Sequence, residues 1–243
     1  MRLSRFYLPL SLSPLTRIDL PKEVLHYMLN VLRLREGDKL RVFNGEGGEY
    51  DACLVDVGKK NARLHVGEWH TIERESPLKL TLVQAISRTE HMDYALQKAV
   101  ELGVNTIVPI MTERSVRLDP ITANKRAQHW QKILISACEQ SGRNRLPTLH
   151  AVTTLENYLS EPLNELAYIL SPTAHYPLPL QLETPPTTLR IVIGAEGGFT
   201  TTEVNTAEQA GYKAISLGSR ILRTETATIT ILAICQALYG DLA

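Results

Sequence analysis

The sequence predicts an α/β protein in two parts, a small β-rich module over residues 1–72 and an open, largely parallel sheet with helices over residues 73–243. Three observations predict it. Short apolar runs separated by tight turns fill the first part, as in a small barrel. From Leu78 onward, strand-like and helix-like segments alternate, the pattern of a parallel sheet covered on both faces. Late in the chain, two glycine-hinged loops, 193–199 and 217–227, each follow an apolar strand run and lead into a helix. An open α/β sheet uses such loops to hold a nucleotide-like ligand beyond the carboxyl ends of its strands.

In the first part, Arg5-Phe6-Tyr7-Leu8 reads as a strand. Pro21 to Leu32 reads as a short helix with Val24, Leu25, Met28 and Leu32 on one side. Glu36-Gly37-Asp38 is a turn before a strand at Leu40–Phe43, and Asn44-Gly45-Glu46-Gly47-Gly48 is a hairpin signal. The return strand covers Tyr50–Val57, a turn follows at Gly58–Asn61, and another strand at Ala62–Trp69. Thr71 to Pro77, charged and ending in proline, is the candidate linker.

In the second part, Leu80–Ile86 is a buried-strand run, and Met92, Leu96, Ala99 and Val100 recur at helical spacing before Gly103. A strand at Val104–Ile110 and a helix at Lys125–Ser141 follow, the helix with Trp130, Ile133, Leu134, Ala137 and Cys138 on its apolar side. Leu166–Leu170 is a strand, and Ser171–Thr188 a long loop with five prolines, a length that favours a functional role. Leu189–Ile193 feeds the first glycine loop. Thr200 and Glu203 have capping-box spacing, opening a helix that ends at Gly211. Ala214–Leu217 is the last strand. The helix over Thr226–Leu238 is apolar nearly all round, so it is expected to be buried in its own core or against a second subunit.

Formal net charge is zero, which does not by itself announce a nucleic-acid binder. The distribution is uneven. Residues 76–150 carry a surplus of Lys and Arg, whereas 151–243 have only Arg190, Lys213, Arg220 and Arg223 among more numerous acids. Either a local RNA track or solvated helix faces would produce this pattern. Cys53, Cys138 and Cys235 form no disulfide or metal-ligand spacing, and the histidines no ligand motif, so no metal is expected. No secretory signal is read at Met1–Arg5, and the most apolar helix is too short to span a bilayer; a cytoplasmic location without membrane attachment is expected.

The glycine loops match neither G-x-G-x-x-G nor a P-loop. Glu196 sets the first apart, because a carboxylate in its middle would repel a phosphate. Such a loop suits hydroxyls, amines or a cation, with Gly194, Gly197, Gly198 and Gly218 admitting close approach of a flat purine. Two turns that merely need positive φ are the alternative. In Arg223-Thr224-Glu225-Thr226, capping and the helix dipole account for most of the tetrad, while Arg220 and Arg223 can hold an anionic substrate or an RNA phosphate. Gln140, Arg143, Asn144 and Arg145 end a helix, where cations are favourable, and are also groups that bind phosphates and base edges.

Taken in order, Ile193-Gly194-Ala195-Glu196-Gly197-Gly198-Phe199-Thr200 and Leu217-Gly218-Ser219-Arg220-Ile221-Leu222-Arg223-Thr224-Glu225-Thr226-Ala227 resemble the SPOUT superfamily of knotted methyltransferases. Within it the chain is similar to the ribosomal RNA small subunit methyltransferase E family, which makes N3-methyluridine in 16S rRNA. Arg5-Phe6, Leu32-Arg33, Gly37-Asp38, Gln97–Val104 and Glu139–Arg143 extend the resemblance along the chain. Ala195 stands where the family usually has proline, and Ser87–Met92 departs from a lysine- and glycine-containing segment.

The resemblance implies a PUA-like small β-barrel that binds RNA, then a SPOUT domain with a deep C-terminal trefoil knot. It implies S-adenosylmethionine as methyl donor, with S-adenosylhomocysteine as product. Leu170, Ser171, Pro172, Gly194, Glu196, Gly197, Gly198, Leu217, Gly218, Ile221, Leu222 and Thr224 would bind it. It implies a homodimer acting on 16S rRNA in the small ribosomal subunit, with an active site that combines groups from both subunits. Uracil N3 must lose a proton before it can accept a methyl group, so Glu139 or Glu225 is expected to take it, with Arg143 and Arg223 beside the base. Arg5, Arg33, Gln140, Arg145 and Arg220 are the expected RNA contacts. A SPOUT enzyme with another RNA target, a nicotinamide-dependent oxidoreductase and a non-catalytic ribosome-associated RNA-binding protein are the alternatives.

Overall fold

In the computed structural model, residues 3–58, 61–179 and 182–242 are described. The chain packs as two compact units, residues 1–75 with 138–146, and residues 76–137 with 147–243. The turn expected at Gly58–Asn61 contains Lys59 and Lys60, and the proline-rich loop contains Leu180 and Gln181; these four lie outside the described residues.

Strands of the first unit alternate buried and exposed side chains, the period of a sheet with one covered face. They are β1 (Arg5–Tyr7), β2 (Arg17–Asp19), β3 (Lys39–Phe43), β4 (Glu49–Val55) and β5 (Arg63–His70), in the order β1-β3-β4-β5-β2. β1 runs parallel to β3 and the remaining pairs are antiparallel. Buried Phe6, Leu40, Val42, Leu54, Leu64 and Val66 form the core, covered by Leu25 and Met28. The expected helix over Pro21–Leu32 is shorter and changes pitch. It runs as α1 (Lys22–His26) and then a wider π-helical turn, Tyr27–Val31, where Leu32 N–H bonds Tyr27 O.

The second unit follows strand–helix alternation. Its elements are β6 (Lys79–Ala85), α2 (Thr89–Glu101), β7 (Thr106–Met111), α3 (Pro120–Ser141, whose residues from Cys138 on belong to the first unit), β8 (Thr148–Leu149), β9 (Thr153–Thr154), α4 (Leu155–Leu159), β10 (Leu166–Leu170), β11 (Thr188–Ile193), α5 (Thr201–Gln209), β12 (Lys213–Ile215) and α6 (Thr224–Tyr239). The sheet order is β12-β10-β11-β6-β7-β8, β9 also pairs β7, and every pair is parallel. Pro109 sits inside β7 where its missing N–H is harmless: β8 pairs Thr106 and Ile107, β9 pairs Ile110 and Met111, and Pro109 falls between them.

α3 starts a turn earlier than its apolar pattern suggests, because the Asp119 carboxylate accepts the N–H groups of Ile121 and Thr122. α6 is less enclosed than expected. Thr224, Thr228, Ile231, Leu232, Cys235 and Gln236 are buried, while Ile229, Ala233 and Ile234 are half-buried and Leu238 is exposed. Burial pushes the thiols of Cys138 and Cys235 up to about 12, so both are inert, space-filling groups. Among the described residues, no helix is long and apolar enough to cross a membrane.

Candidate functional site

A parallel sheet sends the loops that follow its strands out of one edge, where ligands of open α/β folds bind. Here the loops after β7, β10, β11 and β12, with the start of α6, line one cavity of about 400 Å³. Leu170, Ser171 and Pro172 come from the loop after β10; Gly194, Glu196, Gly197 and Gly198 from that after β11. Leu217, Gly218, Arg220, Ile221 and Leu222 come from the loop after β12, and Thr224 opens α6. All twelve residues expected around a cofactor therefore line one space, and Arg220, expected at RNA, lines it too. Ile193, Phe199, Ile215 and Ala227 add apolar wall. Size, apolar walls and a few polar groups are those of a small-molecule site.

The first glycine loop is held by side chains from distant elements. Thr224 Oγ1 donates to Gly194 O at 2.6 Å, and Gln84 Nε2 donates to Thr224 Oγ1 at 3.1 Å. Thr228 Oγ1 lies 2.8 Å from Gln84 Oε1 and 2.9 Å from Thr224 O. Gln84, Thr224 and Thr228 are buried, and the network gives these polar atoms partners without water. Gly198 reverses the chain with φ 64°, a conformation that glycine adopts without strain. Glu196 is exposed; its Oε1 accepts Arg88 N–H at 3.0 Å, capping the first turn of α2 where no side chain of Arg88 does so. Beyond the loop, Thr200 and Glu203 form the expected capping box, and Glu203 Oε1 also accepts Glu113 N–H at 2.8 Å.

The residues expected to handle the proton, and the expected RNA contacts other than Arg220, are not among the cavity lining. Arg223 is the exposed N-cap residue of α6 and Glu225 belongs to its first turn. Glu225 Oε1 is 3.1 Å from His91 Nδ1, its Oε2 is buried without a hydrogen-bond partner, and neither Glu225 nor Arg223 lines the cavity. Glu139, Gln140, Arg143 and Arg145 belong to the first unit, as do Arg5 and Arg33. Glu139 Oε1 accepts Tyr7 N–H at 2.9 Å, and burial raises its carboxyl above a glutamate's usual value despite that bond and nearby Arg5. Arg143 forms a two-pronged pair with Glu75 at 2.8 and 2.6 Å, both side chains at most 7% exposed. Arg5 meets Glu49 and donates to Asn144 Oδ1 at 2.7 Å; Arg145 pairs with Glu73 at 2.8 Å. Gln140 and Arg33 are exposed, Arg33 at φ 56°.

Arg114 and Thr173 line the cavity and were not expected there. The signal for Arg114 is its place just past β7, at the carboxyl edge of the sheet. Reading that signal requires knowing that β7 lies beside β6, which pairs with β11.

A family model for an RNA methyltransferase PUA domain matches residues 20–66, and one for an RNA methyltransferase domain matches residues 74–236. The chain is 39% identical, with a TM-score of 0.92 over 100% of both chains, to the crystal structure of a ribosomal RNA small subunit methyltransferase E from Neisseria gonorrhoeae bound to S-adenosyl methionine. It is 38% identical, with a TM-score of 0.93 over 100% of both chains, to a protein from Legionella pneumophila described as a methyltransferase in complex with the same cofactor. A ribosomal RNA small subunit methyltransferase E of Buchnera aphidicola is 34% identical, the match covering 100% of this chain and 99% of that one. With an RNA methyltransferase domain matched over most of its length and relatives of this name matched end to end, the chain belongs to the ribosomal RNA small subunit methyltransferase E family.

Proposed function

We propose that this protein transfers a methyl group from S-adenosylmethionine to N3 of a specific uridine in 16S rRNA, acting on the assembled small ribosomal subunit. The observation that carries the reading is the single cavity in which all the expected cofactor-loop residues meet. Its donor set fits this ligand. Apolar walls and bare glycine edges suit the purine, and Glu196 keeps one carboxylate oxygen for ribose hydroxyls or a sulfonium charge while the other holds Arg88 N–H. When bound, the cofactor supplies an electrophilic methyl group.

The protein's own task is to bring a deprotonated base nitrogen to that methyl. Glu139 suits the proton acceptor's role, because burial raises its pKa above a glutamate's usual value and makes it the stronger base. Glu225 is the second acceptor, and Arg143 and Arg223 offset the charge left on the base. Arg5, Arg33, Gln140, Arg145 and Arg220 engage RNA. Normal turnover by both Glu139→Ala and Arg143→Ala on small subunits would remove these two from the mechanism.

The protein acts as a homodimer in the cytoplasm, with a knotted second domain. Half-buried Ile229, Ala233 and Ile234 and exposed Leu238 leave apolar groups on the less covered side of α6 for a second copy; a monomer in sedimentation equilibrium at micromolar concentration would contradict this. β12 lies at the sheet edge, yet Thr224 bonds Gly194 after β11, so the chain turns back past β10, as threading requires. An experimental chain trace that straightens when its ends are drawn apart would remove the knot.

Nucleoside mass spectrometry of 16S rRNA from cells with and without the gene tests the reaction. N3-methyluridine is expected to vanish without the gene and to return when purified protein and cofactor are added to small subunits. Return on naked 16S rRNA alone would overturn the substrate form, and an unchanged N3-methyluridine level would overturn the reaction.

A further inference from the structure

Gly197 lacks the usual reasons for being glycine. Its φ is outside the left-handed region, unlike that of Gly198. What it lacks is room: a Cβ there would stand 3.0 Å from Arg114 Cβ, 3.4 Å from Arg114 Cδ and 3.5 Å from Arg114 O. Arg114 in turn donates from Nη1 to Gly197 O at 3.1 Å. The missing side chain and the arginine form a fitted pair.

The loop carrying Arg114 is itself pinned. Glu113 N–H bonds Glu203 Oε1 at 2.8 Å, Thr112 N–H bonds Ser115 Oγ at 2.8 Å, and Val116 N–H bonds Ile86 O at 3.0 Å. One N–H of the guanidinium is therefore bonded to the glycine loop, and the exposed side chain belongs to the cavity lining. Arg114, Arg220 and Glu196 are the charged residues among its described lining. S-Adenosylmethionine carries two cationic groups, the sulfonium and the ammonium, and one anionic group, the α-carboxylate. Glu196 complements the first kind; a planar guanidinium complements the second with directed hydrogen bonds. Of the two arginines, Arg114 has the backbone anchor.

We propose that Arg114 binds the α-carboxylate of the amino-acid end of the cofactor, and that Gly197 is bare so that Arg114 can be seated there. This rests on the S-adenosylmethionine reading above. It makes Arg114 the residue that separates this cofactor from nucleosides lacking the carboxylate.

Calorimetric titration with S-adenosylmethionine and with its decarboxylated form tests it, since the two ligands differ by that one group. The wild type is expected to prefer the carboxylated ligand by about tenfold, the low end for a charge-assisted hydrogen bond. Arg114→Gln loses that preference by weakening only the carboxylated ligand. Gly197→Ala, which displaces the arginine, has the same selective effect, and Arg117→Gln, on the same loop outside the cavity, changes neither affinity. Equal weakening of both ligands by Arg114→Gln would reduce Arg114 to a prop for the loop and overturn the proposal. Unchanged cofactor affinities with weaker small-subunit binding would hand Arg114 to an RNA phosphate and also overturn it. No binding of S-adenosylmethionine by the wild type would sink the cofactor reading itself, a result distinct from the other two.

Discussion

The glycine-loop cavity of the second unit and the arginine cluster of the first use similar polar groups to opposite ends. In the cavity, buried polar side chains grip backbone: Thr224 holds Gly194 O, and Gln84 holds Thr224. The charged residues Glu196 and Arg220 are left exposed at the edge. In the first unit, arginines meet carboxylates: Arg143 with Glu75, Arg5 and Arg41 with Glu49, Arg41 also with Asp51. His70 adds a contact to Asp51 at 2.9 Å. In one region the charges border a cavity; in the other most of them are paired with carboxylates. A charge count along the chain cannot distinguish these uses.

The comparison breaks most visibly at the buried ion pair. Arg143→Ala or Glu75→Ala leaves a lone charge among buried groups and is expected to lower unfolding free energy by about 3–5 kcal/mol in urea titrations. Replacing both together, Arg143→Met with Glu75→Leu, should lose far less; equal losses would mean that the pair's Coulomb attraction, not the stranded charge, dominates. In the cavity, Thr224→Val strips Gly194 O and Gln84 Nε2 of a partner. A loss of about 1–3 kcal/mol is expected, together with weaker S-adenosylmethionine binding. Unchanged cofactor affinity would show that the glycine loop keeps its shape unaided. Thr200→Ala removes one half of the capping box, for about 1 kcal/mol in the same assay.

The smallest effect depends on pH. Burial raises the Glu139 pKa, so the native state binds that proton more tightly than the unfolded chain does. Its contribution to stability is thus fully present below a glutamate's usual value of 4.5 and is lost as pH rises through the raised native value. Glu139→Gln should therefore have the higher melting temperature at neutral pH, with the difference closing below pH 4.5. A gap independent of pH would refute this account.

Much of the cavity lining was legible in the sequence because it is local. Gly194, Glu196, Gly197 and Gly198 lie within five consecutive positions, as do Gly218, Ile221 and Leu222, and such loops carry their geometry in residue type. The capping box at Thr200 and Glu203 was legible for the same reason. The fate of the arginines was not. Arg143 and Glu75 are 68 positions apart, and Arg5 and Glu49 are 44 apart. Arg114 was hidden too, since its path to Gly197 spans 83 positions.

Periodicity, turn chemistry and glycine spacing by themselves determined the two-part α/β plan and the two glycine loops, since these depend on neighbours within a turn or a strand. Tertiary structure alone decided which charges remain available, where α6 is left half-covered, and why Gly197 is bare. Each of these depends on what another segment brings to within a few ångströms, and chain proximity is no guide to that.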